Sequence, residues 1–439
     1  MNSLLIGAAT SNSGKTTFTI GLLRALRDRG LNVQPYKCGP DYIDTMFHHI
    51  ASDRESVNLD TFMNDEEHVK GAFDYYGTDA DIRVAEGVMG LFDGYERCKG
   101  SSAEIAMLLD IPVILIVNAK SVAYSVAPLI YGFKNFNPRL RVAGVIFNMV
   151  ASENHYSFLR SACADAGVEC LGYLPRNEKL TIPGRHLGLT ISAREETERL
   201  ISLAAEEIEQ HVDIDRLLQL TLDANTQHTP EPQPCINNGK VIAVAKDAAF
   251  NFTYRTNIDM LRSKGKMIFF SPLHDDSLPP CDMVYLPGGY PELFAAELQS
   301  NASLRVSIKE YAEAGGHIIA ECGGFMYLCQ DIDGKQMCGV LPIHATMDKA
   351  KLHLGYRKTA SAICLNDSIG LYATRGHEFH YSDILEETLP TSVTKEQCQL
   401  SAKGTAVPTA IYRYKNVVAG YTHWQFLTKS SHTPNHNEP

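Results

Sequence analysis

At 439 residues the chain is long enough for two or three domains, each with its own core, and its 44% hydrophobic and 21% charged residues are those of an ordinary globular protein. A formal net charge of −11 argues against a nucleic-acid-binding surface and favours work on small molecules. The longest apolar run, Ile111 to Val117, is too short to span a bilayer. The 11 cysteines contain no C-x-x-C pair and read as reduced thiols, not as a disulfide framework or a zinc site. With no charged n-region or cleavage site at the start, these features predict a cytoplasmic protein without a signal peptide.

The first chemistry lies at the beginning of the chain. Leu4 to Ala9 reads as a short buried strand, Thr10 to Ser13 as a turn of small polar residues, and Gly14-Lys15-Thr16-Thr17 as the opening of a helix with apolar positions at Leu22, Leu23 and Leu26. Strand, small-residue turn and helix make a phosphate cradle. Backbone N–H groups from Ser11, Asn12 and Ser13 through Gly14 to Thr17 face an anion, Lys15 reaches the terminal phosphates, and the Thr16 hydroxyl suits Mg²⁺. Ala9 stands where the strict phosphate-loop pattern has glycine, so an ordinary Gly-rich strand–helix turn is the plain alternative.

Asn32 to Cys38 is the predicted second strand and runs into Gly39-Pro-Asp-Tyr-Ile-Asp44. Loops beyond strand ends carry chemistry in open α/β sheets, which places Lys37, Asp41 and Asp44 to meet phosphate, metal or substrate; a charged turn is the alternative. Ile82 to Gly87 reads as the third strand. Glu86 at its tip is a candidate Mg²⁺ ligand, because a hard cation wants oxygen ligands, unless it only caps a helix. Asp93, in the loop Met89 to Gly94, suits substrate or switch duty. Further strands are predicted at Ile111 to Asn118, Arg141 to Asn148 and Val168 to Leu174, the last ending in Pro175-Arg176. Helical patterns separate them, so the sheet should be mostly parallel with right-handed crossovers. Ser192 to Leu220 reads as one long covering helix.

Asp223 to Gly239, with three prolines among polar residues, has linker composition. It divides residues 1–222 from a second domain at 240–430, followed by a flexible tail at 431–439. The second half begins with a strand at Lys240 to Ala245, a helix at Phe250 to Ser263 and a strand at Met267 to Ser271. Asp282 to Glu292 is a strand ending in a glycine turn. His317 to Ala320 is a strand, Cys322 a sharp turn, and Gly323-Gly324 the start of a helix. A thiol at such an elbow is strained and exposed at a helix N-terminus, where the dipole favours its thiolate and the following N–H can serve an oxyanion. A buried structural cysteine is the alternative, as the other cysteines read. The candidate bases are His353, His377 and His380 of Gly376-His-Glu-Phe-His-Tyr381, and His423; spacing ranks His423 only slightly above His380. A metal site at His377 and His380 fits neither H-E-x-x-H nor any cysteine cluster.

The phosphate loop, Lys37-Cys-Gly-Pro-Asp-Tyr-Ile-Asp44, Asn58-Leu-Asp60, Glu86-Gly-Val-Met-Gly-Leu-Phe-Asp-Gly94, Arg185-His-Leu-Gly-Leu189 and Asp247-Ala-Ala-Phe250 resemble, in order, the cobyrinate a,c-diamide synthases. So do Phe270-Ser-Pro-Leu273, Gly288-Gly-Tyr-Pro-Glu-Leu293, Ala320-Glu-Cys-Gly-Gly324 and Gly376-His-Glu-Phe-His-Tyr-Ser382. The resemblance runs from Leu4 to Phe426. It implies an ATP- and glutamine-dependent amidoligase of corrinoid biosynthesis. The implied fold is α/β throughout: a P-loop parallel-sheet domain similar to dethiobiotin synthetase, then a class I glutamine amidotransferase domain.

By the same resemblance Cys322 is the glutaminase nucleophile, His423 its histidine, and the N–H groups at Gly289 and Gly323 the oxyanion donors. Thr16, Asp41 and Glu86 surround Mg²⁺, and Asn148 is an adenine contact with Pro175 nearby. Lys37, Asp41, Tyr42, Ile43, Asp44 and Asp93 face the substrate, with Asp41, Tyr42 and Ile43 setting which carboxylate is activated. The implied partners are ATP, glutamine and cobyrinate or a related tetrapyrrole, with no nucleic acid or membrane; a homodimer stays open.

The motifs barely separate cobyrinate from hydrogenobyrinate or nickel sirohydrochlorin. Cobyric acid synthases usually have a different substrate loop. A partitioning-type ATPase switch would carry an early loop lysine where Thr10 stands and would lack an amidotransferase domain. A corrinoid binder without activity would not need both Cys322 and His423. There are departures from the family pattern: Ala8-Ala9 replaces a common Gly-Thr, and Asn12 a glycine. Two residues after the histidine, general class I enzymes have Glu and this family commonly His. Gln425 stands there, so the orientation of His423 must come from elsewhere.

Overall fold

A computed structural model describes residues 1–180, 191–222, 239–349, 351–385 and 389–428, with side chains of the first helix after residue 190 described from Arg194 onward. The Arg185 to Leu189 motif, nearly all of the linker and the C-terminal tail lie outside the described residues. The chain divides into two compact units, Met1–Pro232 and Gln233–Pro439.

In the first unit the strands are β1 (Asn2–Ala8), β2 (Val33–Cys38), β3 (Val57–Leu59), β4 (Ile82–Glu86), β5 (Val113–Asn118), β6 (Val142–Val150) and β7 (Glu169–Pro175). They form one sheet in the order β3-β2-β4-β1-β5-β6-β7, parallel at every pairing. Apolar residues point to both faces of these strands, as a sheet covered on both sides requires. The helices are α1 (Lys15–Asp28), α2 (Ile43–Ser52), α3 (Glu66–Tyr76), α4 (Ser102–Leu108), α5 (Ala127–Asn135), α6 (Glu153–Ala166), α7 (Ile191–His211) and α8 (Ile214–Thr221). Helix α1 packs between the sheet and α7. At their crossing a Cβ on Gly21 would lie 2.8 Å from the Ala204 carbonyl carbon, so only glycine permits this approach.

Two sequence expectations need correction here. Ile82–Glu86 is the fourth strand, because the three-residue β3 intervenes. The single helix expected over Ser192 to Leu220 is two helices. Val212 leaves the helix to bridge Gly172 of β7, the Asp213 N–H donates to the Leu171 carbonyl at 2.8 Å, and the Asp213 carboxylate caps α8 by accepting from Arg216 N–H.

The second unit contains β8 (Val241–Ala245), α9 (Arg255–Lys264), β9 (Lys266–Phe270), β10 (Met283–Leu286), α10 (Ala295–Ser300), α11 (Ala302–Glu313), β11 (His317–Glu321) and α12 (Gly323–Leu328). Twelve short and long strands follow: β12 (Asp331–Ile332), β13 (Lys335–Gln336), β14 (His344–Thr346), β15 (His353–Asn366), β16 (Leu371–His380), β17 (Asp383–Leu385), β18 (Val393–Glu396), β19 (Gln399–Ser401), β20 (Ile411–Tyr414), β21 (Val417–Gly420), β22 (His423–Trp424) and β23 (Leu427–Thr428). The main sheet runs β18-β20-β21-β11-β10-β8-β9, and β9 through β21 are parallel. A separate antiparallel sheet, β19-β15-β16-β22 with β23 on β16, carries the histidine-rich segment. The helix expected from Phe250 starts only at Arg255. Phe250, Phe252 and Tyr254 are buried, and the Asn251 and Phe252 N–H groups both donate to the Gly288 carbonyl at 3.1 Å. These apolar residues therefore tether the glycine turn instead of lining a helix.

Candidate active sites

Sheet register builds the first site. Glu86 ends β4 level with Ile6 of β1 and with Lys37 of β2, so the phosphate loop, a lysine and a carboxylate meet at the carboxyl ends of the central strands. Gly14 precedes α1 with φ +92°, and a Cβ there would lie 2.0 Å from Asn148 Nδ2; both facts demand glycine. The Asn148 amide donates to the Ser13 carbonyl at 3.0 Å and its oxygen accepts from the Met149 N–H. Asn148 thus braces the loop from β6. Ser13 closes the turn through the Thr10 carbonyl at 2.8 Å, Ser11 and Asn12 are exposed at its tip, and Thr17 reaches the Leu180 carbonyl. Pro175 ends β7 beside Val150 of β6.

The Thr16 hydroxyl donates to Glu86 Oε1 at 2.7 Å and lies 3.4 Å from Asp44 Oδ2. Lys37 Nζ lies 2.6 Å from Asp44 and 3.1 Å from Glu86, and donates also to the Gly87 carbonyl. Burial alone would raise the Glu86 carboxyl; Lys37 and the bonds from His48 and Thr16 outweigh it and hold the group well below the usual range. Asp44 is pushed up to about 6 by burial and by the neighbouring Asp41. Lys15 donates to the Met89 carbonyl, and burial together with Lys37 lowers its pKa. Asp93 accepts from the Gly90 N–H at 3.0 Å, shaping the loop that receives Lys15.

Asp41 Oδ1 accepts from the Ile43 and Asp44 N–H groups at 2.8 and 2.9 Å. It organises the start of α2 and so aims Asp44, not itself, at Thr16. Tyr42 is buried at that helix start and Ile43 half-buried. Asn58 secures the loop by donating to the Gly39 and Asp41 carbonyls. Thr16, Asp44 and Glu86 present oxygens to one point, and three carboxylates (Asp41, Asp44, Glu86) act on Lys37. That surplus of acidic oxygen fits a hard divalent cation. His48 was not anticipated: its Nε2 lies 2.7 Å from Glu86 Oε2 and its Nδ1 3.0 Å from Ser56 Oγ. Nothing in the local sequence around a mid-helix histidine signals this.

The second site is built on the β11–α12 turn. Cys322 has φ 49°, a strained conformation for a residue with a Cβ and one that clusters at functional elbows. Its N–H donates to the Gly420 carbonyl of β21 at 2.8 Å. Gly323 and Gly324 are explained by contact: a Cβ on Gly323 would lie 3.0 Å from Gly289 N, and one on Gly324 would lie 2.1 Å from the Leu286 carbonyl oxygen. The two backbone positions read as oxyanion donors therefore lie against one another. Gly289, Tyr290, Glu292, Phe379 and Tyr381 line a crevice with Cys322.

Burial, followed by Glu292, pushes the Cys322 thiol far up. The six-residue α12 does not outweigh this, so the free site holds a thiol where a dipole-favoured thiolate was expected. Glu292, absent from the expected set, is itself pushed up to about 7 by burial.

Of the candidate bases, His380 also lines that crevice, while His423 packs against Gly288 of the glycine turn. A Cβ on Gly288 would lie 2.2 Å from His423 Cε1, so glycine makes room for the imidazole. Burial, then the charges of His377 and His380, lower the His423 pKa to about 3, which leaves a neutral imidazole able to take a thiol proton. His380 is engaged at both nitrogens, by the Ser382 carbonyl at 2.8 Å and Glu378 at 2.7 Å, and its ring is stacked between His353 and Tyr421. His353 lies 3.1 Å from Asp383. His377 pairs with His423 across β16 and β22.

Three residues apart on one strand, His377 and His380 point to opposite faces, which argues against a shared metal. His353, Glu378 and His380 do place ligand atoms within 4.8 Å of one another. Glu378, however, is held by Arg357 at 2.5 Å and Thr409 at 2.6 Å, and a guanidinium there disfavours a cation. Gln425 turns to Thr256 at 3.4 Å.

Gly288→Ala should push the His423 ring aside and lower glutaminase turnover by about a hundredfold, since a displacement of ~1 Å in a catalytic group is enough for that. A steady-state glutamate-release assay checks it.

Residues 4–189 match the CobQ/CobB/MinD/ParA nucleotide binding domain family, and residues 241–431 the CobB/CobQ-like glutamine amidotransferase domain family. The chain is 42% identical to the cobyrinate a,c-diamide synthase of Listeria monocytogenes serotype 4b (strain F2365), over 97% of this chain and 96% of that one. It is 41% identical to the enzyme of that name from Dehalococcoides mccartyi (strain CBDB1), over 97% and 95%. The one from Picrophilus torridus is 39% identical, over 97% and 96%. Among the described residues no helix is long and apolar enough to cross a membrane.

Proposed function

We propose the following division of labour for this chain, which belongs to the cobyrinate a,c-diamide synthase family: one unit activates substrate carboxylates with ATP, and the other supplies ammonia from glutamine. The product is the a,c-diamide of cobyrinate, made in cobalamin biosynthesis. The observation that carries the reading is the elbow of Cys322, strained at φ 49° against Gly289, in a chain whose other unit is built on a phosphate loop.

A carboxylate is a poor electrophile, so the γ-phosphoryl group of ATP is transferred to it first, giving an acyl phosphate and ADP. Lys15 and the loop N–H groups receive the charge that spreads over the phosphoryl oxygens. Magnesium, when bound by Thr16 and the carboxylates of Asp44 and Glu86, with Asp41 behind them, supplies neutralising charge at the phosphates. In the other unit Cys322 Sγ bonds to the side-chain carbonyl carbon of glutamine while His423 takes the thiol proton. The C–N bond then breaks, the same proton leaves with ammonia, and water hydrolyses the thioester to glutamate. The N–H groups of Gly289 and Gly323 hold the oxyanion. Ammonia displaces phosphate from the acyl phosphate, forming the amide. The cycle repeats at the second carboxylate, with Asp41, Tyr42 and Ile43 selecting each in turn.

The test is mass spectrometry of cobyrinate, hydrogenobyrinate and nickel sirohydrochlorin, each incubated with ATP, Mg²⁺ and glutamine. Cobyrinate should show two successive exchanges of hydroxyl for amino group. Conversion of only one of the others overturns the substrate, and no exchange in any of them overturns the reaction.

A further inference from the structure

We propose that Glu321, the residue immediately before the nucleophile, is the positioning residue for His423 and fills the place in the triad that Gln425 leaves open. The inference rests on the assignment of Cys322 and His423 as nucleophile and base. Glu321 Oε2 lies 3.9 Å from His423 Nδ1, with both side chains almost wholly buried. The carboxyl is clamped: Tyr285 of β10 donates its hydroxyl to Oε2 at 2.8 Å, and the Trp424 N–H, next along the chain from His423, donates to Oε1 at 3.1 Å. Gln425, two residues after the histidine, directs its amide to Thr256 instead.

Sheet pairing brings the two together. Glu321 ends β11 in register with Gly420 of β21, and the chain reaches His423 three residues later. Strand alternation sends the Glu321 side chain to the face opposite that of Ala320. An ion-pair distance longer than a hydrogen bond is usual for catalytic contacts before substrate binds, and such contacts tighten in the complex.

A carboxylate on Nδ1 selects the tautomer whose Nε2 carries the lone pair that takes the thiol proton. It also faces the imidazolium that forms, in a setting where an isolated charge would be costly. The groups around the pair are Tyr285 from β10 and Cys322 from the turn on the Glu321 side, and His377, Glu378 and His380 from β16 on the His423 side. Burial pushes the Glu321 carboxyl up to about 8, against the bonds from Trp424 and Tyr285 that lower it. It therefore ionises between neutral and mildly alkaline pH.

The experiment measures glutaminase kcat and KM across that pH range for the full chain and for Glu321→Gln and Glu321→Asp, with ammonia-driven amidation assayed in parallel. Glu321→Gln should lower kcat by about a thousandfold or more, by analogy with loss of the acid in a serine triad, leave KM for glutamine nearly unchanged, and abolish the rise of rate towards alkaline pH. Glu321→Asp should recover part of kcat and the pH dependence, and ammonia-driven amidation should persist in both. Wild-type kcat and pH profile in Glu321→Gln would overturn the proposal, as would equal loss of ammonia-driven amidation, which marks a structural role. Cys322→Ser and His423→Ala separate the two levels. Glutaminase surviving those changes sinks the nucleophile and base themselves; loss there, with Glu321→Gln unaffected, sinks only the role of Glu321.

Discussion

Cys322→Ser is expected to lower glutamine hydrolysis by about 10⁴-fold or more and to stop glutamine-driven amide formation, while amidation supplied with ammonium salt continues. The replacement is nearly isosteric, so the φ 49° elbow, its bond to the Gly420 carbonyl and the close approach of Gly323 to Gly289 should all remain. What changes is the nucleophile. Burial already holds the thiol in its protonated form, and attack depends on handing that proton to His423, an imidazole that burial keeps neutral. A hydroxyl is a far weaker acid than a thiol, and an imidazole whose basicity burial has already lowered cannot remove its proton at a useful rate. Ammonia from solution bypasses this step, because its acceptor is made by the other unit. Glutamate release and amide product are measured side by side, with glutamine and then with ammonium as nitrogen source. If both nitrogen sources fail together, the division of labour between the two units is wrong.

Features whose cause is local in sequence were legible before the structure. Gly14-Lys15-Thr16 announces a phosphate loop because strand, turn and helix are contiguous, and Ala320-Glu-Cys-Gly-Gly324 announces an elbow for the same reason. Glu86 could be singled out because an acid at the tip of an apolar strand is a local anomaly. Contacts created by pairing between distant segments were not legible. His48 reaches Glu86 only because α2 packs against the sheet, and Glu321 reaches His423 only because β11 pairs with β21. Asp41 and Asp44 show the limit within a single loop. Both are acids beside a strand end, and only the turn geometry decides that Asp41 binds backbone N–H groups while Asp44 faces Thr16. Element boundaries failed where tertiary demand overrode periodicity. Phe250, Phe252 and Tyr254 have helical spacing in part, yet the Gly288 carbonyl takes the N–H groups of Asn251 and Phe252 in an extended segment. Val212 interrupts a helix because β7 offers it a bridge.

Lys15→Ala should act on the opposite half of the reaction, lowering ATP-driven amide formation by about a thousandfold while glutamine hydrolysis survives. Two lysines lie near the phosphate loop, and they are not interchangeable. Lys37 is tied to Asp44, Glu86 and the Gly87 carbonyl, so its charge neutralises the carboxylates and is not available to a phosphate. Those carboxylates, acting against burial, hold its pKa above the ordinary value. Lys15 makes no ion pair within 4 Å among the described residues: it donates to the Met89 carbonyl, and burial beside Lys37 outweighs the more distant charges of Glu86, Asp44 and Asp93 and makes its charge costly. An incoming anion relieves that cost, which favours movement of the ammonium from the carbonyl to the phosphate and concentrates its effect where charge develops in the transition state. The substitution leaves one backbone carbonyl without this donor, at a cost of about 1–3 kcal/mol. Glu86→Ala would instead take one carboxylate from buried Lys37 and the partner of His48 and Thr16, at roughly 3–5 kcal/mol, and confuse loss of fold with loss of chemistry. Thermal unfolding of Lys15→Ala should therefore shift only modestly while product yield collapses in both ammonium and glutamine. Unchanged yield would remove Lys15 from phosphoryl transfer and with it the assignment of the loop.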